Sequence, residues 1–101
     1  MEPQPLQSVL GLYCRLPDTP NRYRSLDRQL AQRWLDQGVR LTEIRAAFLL
    51  ATLRRHRRPD HRERLPTIRS LAYFEPVLRE IQQRPLAPEY LDYLERAFCS
   101  L

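Results

Sequence analysis

Apolar residues recur at helical spacing in five stretches of this chain, and proline or glycine closes most of them. Between Pro5 and Arg15, Leu6, Val9, Leu10 and Tyr13 fall at i, i+3, i+4 and i+7 and form one stripe, which Pro17 ends. Leu16 to Arg24 is turn chemistry throughout, with Pro17, Asp18, Thr19, Pro20 and Asn21. Ser25 is the expected N-cap of a second helix, and Asp27 lies against the positive end of its dipole. Leu26, Leu30 and Trp34 follow at i+4 steps, and Gly38 fits the C′ position. After Val39-Arg40-Leu41, Thr42 is expected to cap a third helix with Glu43 at its start and arginines at its end. Its middle, Ala46 to Leu53, is apolar on every side, so this helix should be central. Pro59 is expected to stop it.

Leu65 to Gln83 admits two solutions. Ser70 has the chemistry of an N-cap, yet Pro76 lies six residues inside the helix it would start. Either Leu71 to Phe74 is a separate turn ahead of a helix beginning at Pro76, or one kinked helix runs from about Ser70 to Gln83. Pro88 then opens a last helix whose buried face should be Leu91, Leu94, Phe98 and Leu101. The expectation is a compact all-α bundle of about five helices in a single domain spanning residues 1–101. Leu30, Trp34, Ile44, Phe48, Leu53, Leu91, Leu94 and Phe98 would form the core around the third helix.

Composition agrees with this pattern, because two glycines against nine prolines leave little for the hairpin turns of an all-β fold. All seventeen basic residues are arginine, a bias expected from coding in a GC-rich genome, with selection for guanidinium chemistry as the alternative. Their placement is uneven: residues 22–69 hold thirteen arginines against five acidic residues, whereas residues 70–101 hold three against five. Such polarity suits a protein with one basic working face. No stretch approaches the roughly 20 apolar residues of a membrane span. Met-Glu-Pro-Gln-Pro is unlike a secretory signal, so a cytoplasmic protein without membrane contact is expected.

The residues offer little for catalysis or metal binding. Cys14 and Cys99 have no short-spaced partner, and His56 and His61 straddle Pro59 instead of sharing a helical face. The serines stand apart from any base. No catalytic residue, metal or cofactor is therefore expected. The arginines carry more. Arg54, Arg55, Arg57, Arg58, Arg62 and Arg64 form a cluster whose guanidinium forks match phosphate oxygens; a solvated helix C-terminus would also favour their charge. The two helices around Gly38 have helix-turn-helix grammar, which would place Arg40 and Arg45 near base edges. Bulky Trp34 and the apolar third helix favour an ordinary helix pair instead. Tyr73 and Phe74 beside Arg69 could stack on bases or lie in the core, and Tyr90 and Tyr93 lie off the Leu91–Leu94 stripe, where they could meet a protein partner.

Leu41-Thr42-Glu43-Ile44-Arg45-Ala46-Ala47 follows a helix end Trp34-Leu35-Asp36-Gln37-Gly38. Further along, Ile68-Arg69-Ser70-Leu71-Ala72-Tyr73-Phe74 precedes the last helices. Over about residues 25–83 this arrangement resembles the helical C-terminal regions of replication-initiation and helicase-loading proteins of bacterial plasmids, phages and mobile elements. The chain departs from that pattern in lacking an ATPase motif and a glycine in the tyrosine segment. The resemblance implies DNA binding and contacts with other replication or mobility proteins. Two functions are thus expected to compete. One is a non-enzymatic nucleic-acid-binding accessory protein, with DNA favoured over RNA, using Arg40, Arg45, Arg54, Arg55, Arg57, Arg58, Arg62, Arg64 and Arg69. The other is a protein-interaction module that sits in a nucleoprotein complex and never binds nucleic acid alone.

Overall fold

The computed structural model describes residues 4–58 and 65–101. The chain forms five α-helices and a short 3-10 turn, with no strand among the described residues: α1 Pro5–Arg15, α2 Ser25–Asp36, α3 Leu41–His56, the turn Leu71–Phe74, α4 Glu75–Gln83 and α5 Pro88–Cys99. The all-α bundle expected from the apolar pattern is the fold observed. The expected stop at Pro59 lies outside the described residues.

Helix α3 is central, packing against α1, the 3-10 turn, α4 and α5. Ile44, Ala47, Phe48 and Ala51 join one core with Val9, Tyr13, Trp34, Leu71, Phe74 and Leu78. Leu49 and Leu53 form a second cluster with Leu94 of α5. Phe74 knits the larger core, meeting Phe48 edge to face at 4.9 Å between ring centres and Tyr13 at 6.1 Å. Of the expected core, Leu30, Trp34, Ile44, Phe48, Leu53 and Leu94 are buried, while Leu91 and Phe98 are half-buried. Leu101 is exposed, because it follows the last turn of α5 and no neighbour covers it.

The ends of the helices explain why the chain stops and turns where it does. Thr19 Oγ1 donates to the carbonyls of Leu16 (2.8 Å) and Tyr13 (3.3 Å), satisfying acceptors left free at the end of α1. Asp18 and Asn21 in the following turn have φ of 63° and 64°, a left-handed conformation that Asp and Asn tolerate better than most residues. Helix α2 ends in a Schellman motif, with Val39 N–H on Trp34 C=O and Gly38 N–H on Leu35 C=O, both at 3.0 Å. Gly38 has φ of 85° and open space where a Cβ would sit, so backbone conformation alone demands glycine there.

Two caps differ from the expectation. Ser25 and Thr42 stand one residue and two residues past the N-caps, which are Arg24 and Arg40. An acidic side chain three residues on reaches back in each case: Asp27 Oδ2 accepts from Arg24 N–H and Glu43 Oε1 from Arg40 N–H, both at 2.9 Å. A carboxylate that accepts from the N-cap amide removes the need for a serine or threonine cap.

The inward stripe of α2 is correspondingly shifted. It runs Asp27, Leu30, Ala31, Trp34, and Leu26 is 76% exposed. Asp27 is buried because its second oxygen accepts from Leu71 N–H at 2.9 Å, fastening the 3-10 turn to the start of α2. Ser70 precedes that turn as expected, but its side chain makes no capping bond. Asp27 serves in its place. The ambiguous stretch is therefore a separate turn followed by α4, with Pro76 in the first turn of α4, where a missing N–H costs nothing. Burial pushes the Tyr13 phenol up to about 12, and the nearby Asp27 carboxylate adds to the shift.

Trp34 is fully buried, and its indole N–H points to Glu75 Oε2 at 3.4 Å, joining α2 to the start of α4. Replacing Trp34 with alanine should cost roughly 3–5 kcal/mol in chemical denaturation, a large share of the stability of such a domain. A denaturation midpoint unchanged from wild type would contradict the placement of α2 against the core.

Candidate nucleic-acid interface

Seven of the nine arginines expected to meet nucleic acid are among the described residues; Arg62 and Arg64 lie outside them. Most are engaged within the chain. Arg45 Nε and Nη2 bond both oxygens of Glu95 in α5, at 2.6 and 2.8 Å. Arg54 Nη1 and Nη2 bond both oxygens of Glu80 in α4, at 3.0 and 3.1 Å. Arg57 Nη2 donates to the Tyr93 hydroxyl of α5 at 2.6 Å. Arg55 Nη1 donates to the Tyr73 hydroxyl (3.2 Å) and its Nη2 to the Pro66 carbonyl (2.9 Å).

These bonds make the arginines of α3 struts to the elements around it. Tyr93 and Glu95 are two residues apart, about 200° around a helix, so Arg57 and Arg45 grip α5 from its two sides with buried Leu94 between them. Planar two-point pairing with a carboxylate is a property of arginine that lysine lacks. The hydrogen bonds from Arg45 and Arg54 hold the Glu95 and Glu80 carboxyls below the usual carboxylate range, against a smaller opposing effect of desolvation.

Arg40 and Arg69 are differently placed. Arg40 has a side chain 79% exposed, with its own helix's Glu43 at 3.6 Å, and Arg69 is exposed beside the 3-10 turn. The body of α3 is enclosed, with Ala46 through Leu49 buried and Arg45 held by Glu95, so it presents no face for insertion into a major groove. The packing is that of a bundle helix. Phe74 lies in the core, whereas Tyr73, Tyr90 and Tyr93 are half-exposed, the last two with stacked rings 5.7 Å apart.

Arg22, Arg24 and Arg28 complete the surface, and the sequence reading did not single them out. All three are exposed, and among the described residues no carboxylate pairs with their guanidiniums or with that of Arg69. Arg24 and Leu71 both bond Asp27 through their backbone N–H groups, so Arg69, two residues before Leu71, is brought to the start of α2. A bond from Ile68 N–H to Asp18 C=O (2.8 Å) and the approach of Arg55 Nε to Asp18 Oδ2 (3.5 Å) draw the C-terminal end of α3 toward the same region. The helical period carried a partial signal for this face: Arg28 follows Asp27 and falls off the stripe Asp27–Leu30–Ala31–Trp34.

Comparisons with protein-family models, with curated proteins and with solved structures find no match for the chain. Among the described residues there is no group of three or more His, Cys, Asp or Glu side chains that could hold a metal ion, and no helix is long and apolar enough to cross a membrane. Cys14 and Cys99 are both free, half-buried and exposed respectively.

The clamp on α5 has a pH signature. Because the Glu95 and Glu80 carboxyls sit below their ordinary value of 4.5, their contribution is fully present above that pH and is lost as the pH falls through the lower folded-state values. Both pairs are substantially exposed, so Glu95→Gln should cost less than about 1 kcal/mol at pH 7. Thermal unfolding should show the variant and wild type converging as the pH is lowered below 4.5; a gap that widened on acidification would contradict the clamp.

Proposed function

We propose that this chain is a non-enzymatic nucleic-acid-binding protein that grips phosphates with arginines at one end of the bundle. The observation that carries the reading is the set of exposed guanidiniums of Arg22, Arg24, Arg28 and Arg69 around the Asp27 junction, none paired with a carboxylate among the described residues. Guanidiniums without internal partners keep all five N–H donors for phosphate oxygens, and each phosphate neutralised releases counterions. Arg58 at the end of α3 extends the basic surface, while Arg45, Arg54 and Arg57 act first as internal braces. The resemblance to replication-initiation and helicase-loading regions supports DNA over RNA and a cytoplasmic accessory role in a bacterial replication system or mobile element.

A second reading is favoured by the half-exposed Tyr90–Tyr93 stack on α5 and, separately, by exposed Leu26 on α2, apolar positions of the kind that suit a protein partner. On that reading the same arginines meet an acidic protein within a larger complex.

Anisotropy titrations of a labelled oligonucleotide over a range of salt separate the two. Changing Arg22, Arg24, Arg28 and Arg69 to glutamine should flatten the slope of log K against log salt by up to about 3.6 units, since each phosphate contact contributes roughly 0.9. These side chains are on the surface, so the fold should survive. Wild-type protein with no salt-sensitive binding to any DNA or RNA would leave the protein-partner reading standing.

A further inference from the structure

Arg54, Arg55 and Arg58 of α3 line one side of an open cavity of about 370 Å³, with Tyr73 of the 3-10 turn and the apolar Leu65 and Val77 completing its wall. The three arginines sit in or beside the last turn of α3, where the helix dipole favours positive charge, and Arg54 and Arg55 also have Glu80 and Asp18 as counter-charges.

The Arg55 side chain is 7% exposed, and its Nε is buried without a hydrogen-bond partner. Asp18 Oδ2 is 3.5 Å from that nitrogen and makes an ion pair but no hydrogen bond. A buried guanidinium donor left unspent is unusual, since such groups are costly to desolvate without a partner. The internal bonds of Arg54 and of Arg55 each use two of five donors, leaving capacity for a further anion. The carboxylates that face these arginines, Glu80 and Asp18, are not part of the cavity wall.

We propose that this cavity binds the phosphate monoester of a nucleotide. Three arginines along one cavity wall suit a dianionic monoester better than the single charge of an internal phosphodiester. The volume falls within the roughly 300–1,000 Å³ of small-molecule sites, and the Tyr73, Leu65 and Val77 wall can cover sugar or base. The monoester is either that of a free nucleotide or the phosphorylated end of a strand. The latter rests on the nucleic-acid reading above.

The test compares the intact chain's affinity for one short oligothymidylate carrying a 5′-phosphate, a 3′-phosphate or hydroxyl ends, and for thymidine monophosphate and inorganic phosphate alone. A terminal phosphate should tighten binding about tenfold, as expected for one set of charge-assisted bonds. The Arg54→Gln variant should erase that gain yet still bind the hydroxyl-ended strand. The Arg55 Nε–Hε resonance should move on adding thymidine monophosphate, a readout that needs no substitution. Binding of the free nucleotide with no preference among strand ends supports the cavity and assigns the free nucleotide as its ligand. Equal, salt-sensitive binding of all strands with no response to thymidine monophosphate overturns the cavity and leaves the phosphate-gripping surface intact. No binding of any probe overturns both.

Discussion

A single buried carboxylate organises this molecule. Asp27 is held between two backbone amides, that of Arg24 at the start of α2 and that of Leu71, forty-four residues along the chain, at the start of the 3-10 turn. Burying an ionised carboxylate is costly unless its oxygens find donors, and here each oxygen has one. The bond fixes where the 3-10 turn sits, and the turn in turn seats Phe74 between Tyr13 and Phe48 in the centre of the core. The neighbouring Trp34–Glu75 contact carries the same alignment into α4.

The same junction divides the arginines into two populations. Those on α3 that look outward to α4 and α5 meet Glu80, Glu95 and Tyr93, and they brace helices that hydrophobic contact alone covers thinly; α5 has only Leu94 fully buried. Those at the start of α2 and before the 3-10 turn have no carboxylate partner among the described residues, and Asp27 beside them is turned inward and spent on backbone amides. Folding thus removes a carboxylate from a basic surface and leaves its guanidiniums facing solvent.

Much of the architecture was legible because it rests on local pattern. The Pro5–Arg15 helix, the Gly38 terminus and the Pro88 start depend on proline stereochemistry, left-handed glycine and a four-residue apolar period, all written in adjacent positions. What misled was also local. Leu26 continues an apolar i+4 series, yet Asp27 takes the inward place because its partner, Leu71, is remote. Ser25 and Thr42 have capping chemistry, yet acids at the third helical position do the work from backbone geometry alone. The basic cluster was plain from composition. Its internal pairings were not, since Glu80, Tyr93 and Glu95 lie 26 to 50 residues from the arginines that hold them.

The most direct check on the role of Asp27 is hydrogen exchange at the Leu71 amide in the native protein. As the first residue of a short 3-10 turn it would ordinarily exchange freely, having no partner within its own helix. Bonded to buried Asp27, it should be slowed by roughly two orders of magnitude or more, comparable with amides of the core helices. Exchange at the rate of an unprotected amide, with α3 still protected, would show that the 3-10 turn is not fastened to α2 and would contradict this account.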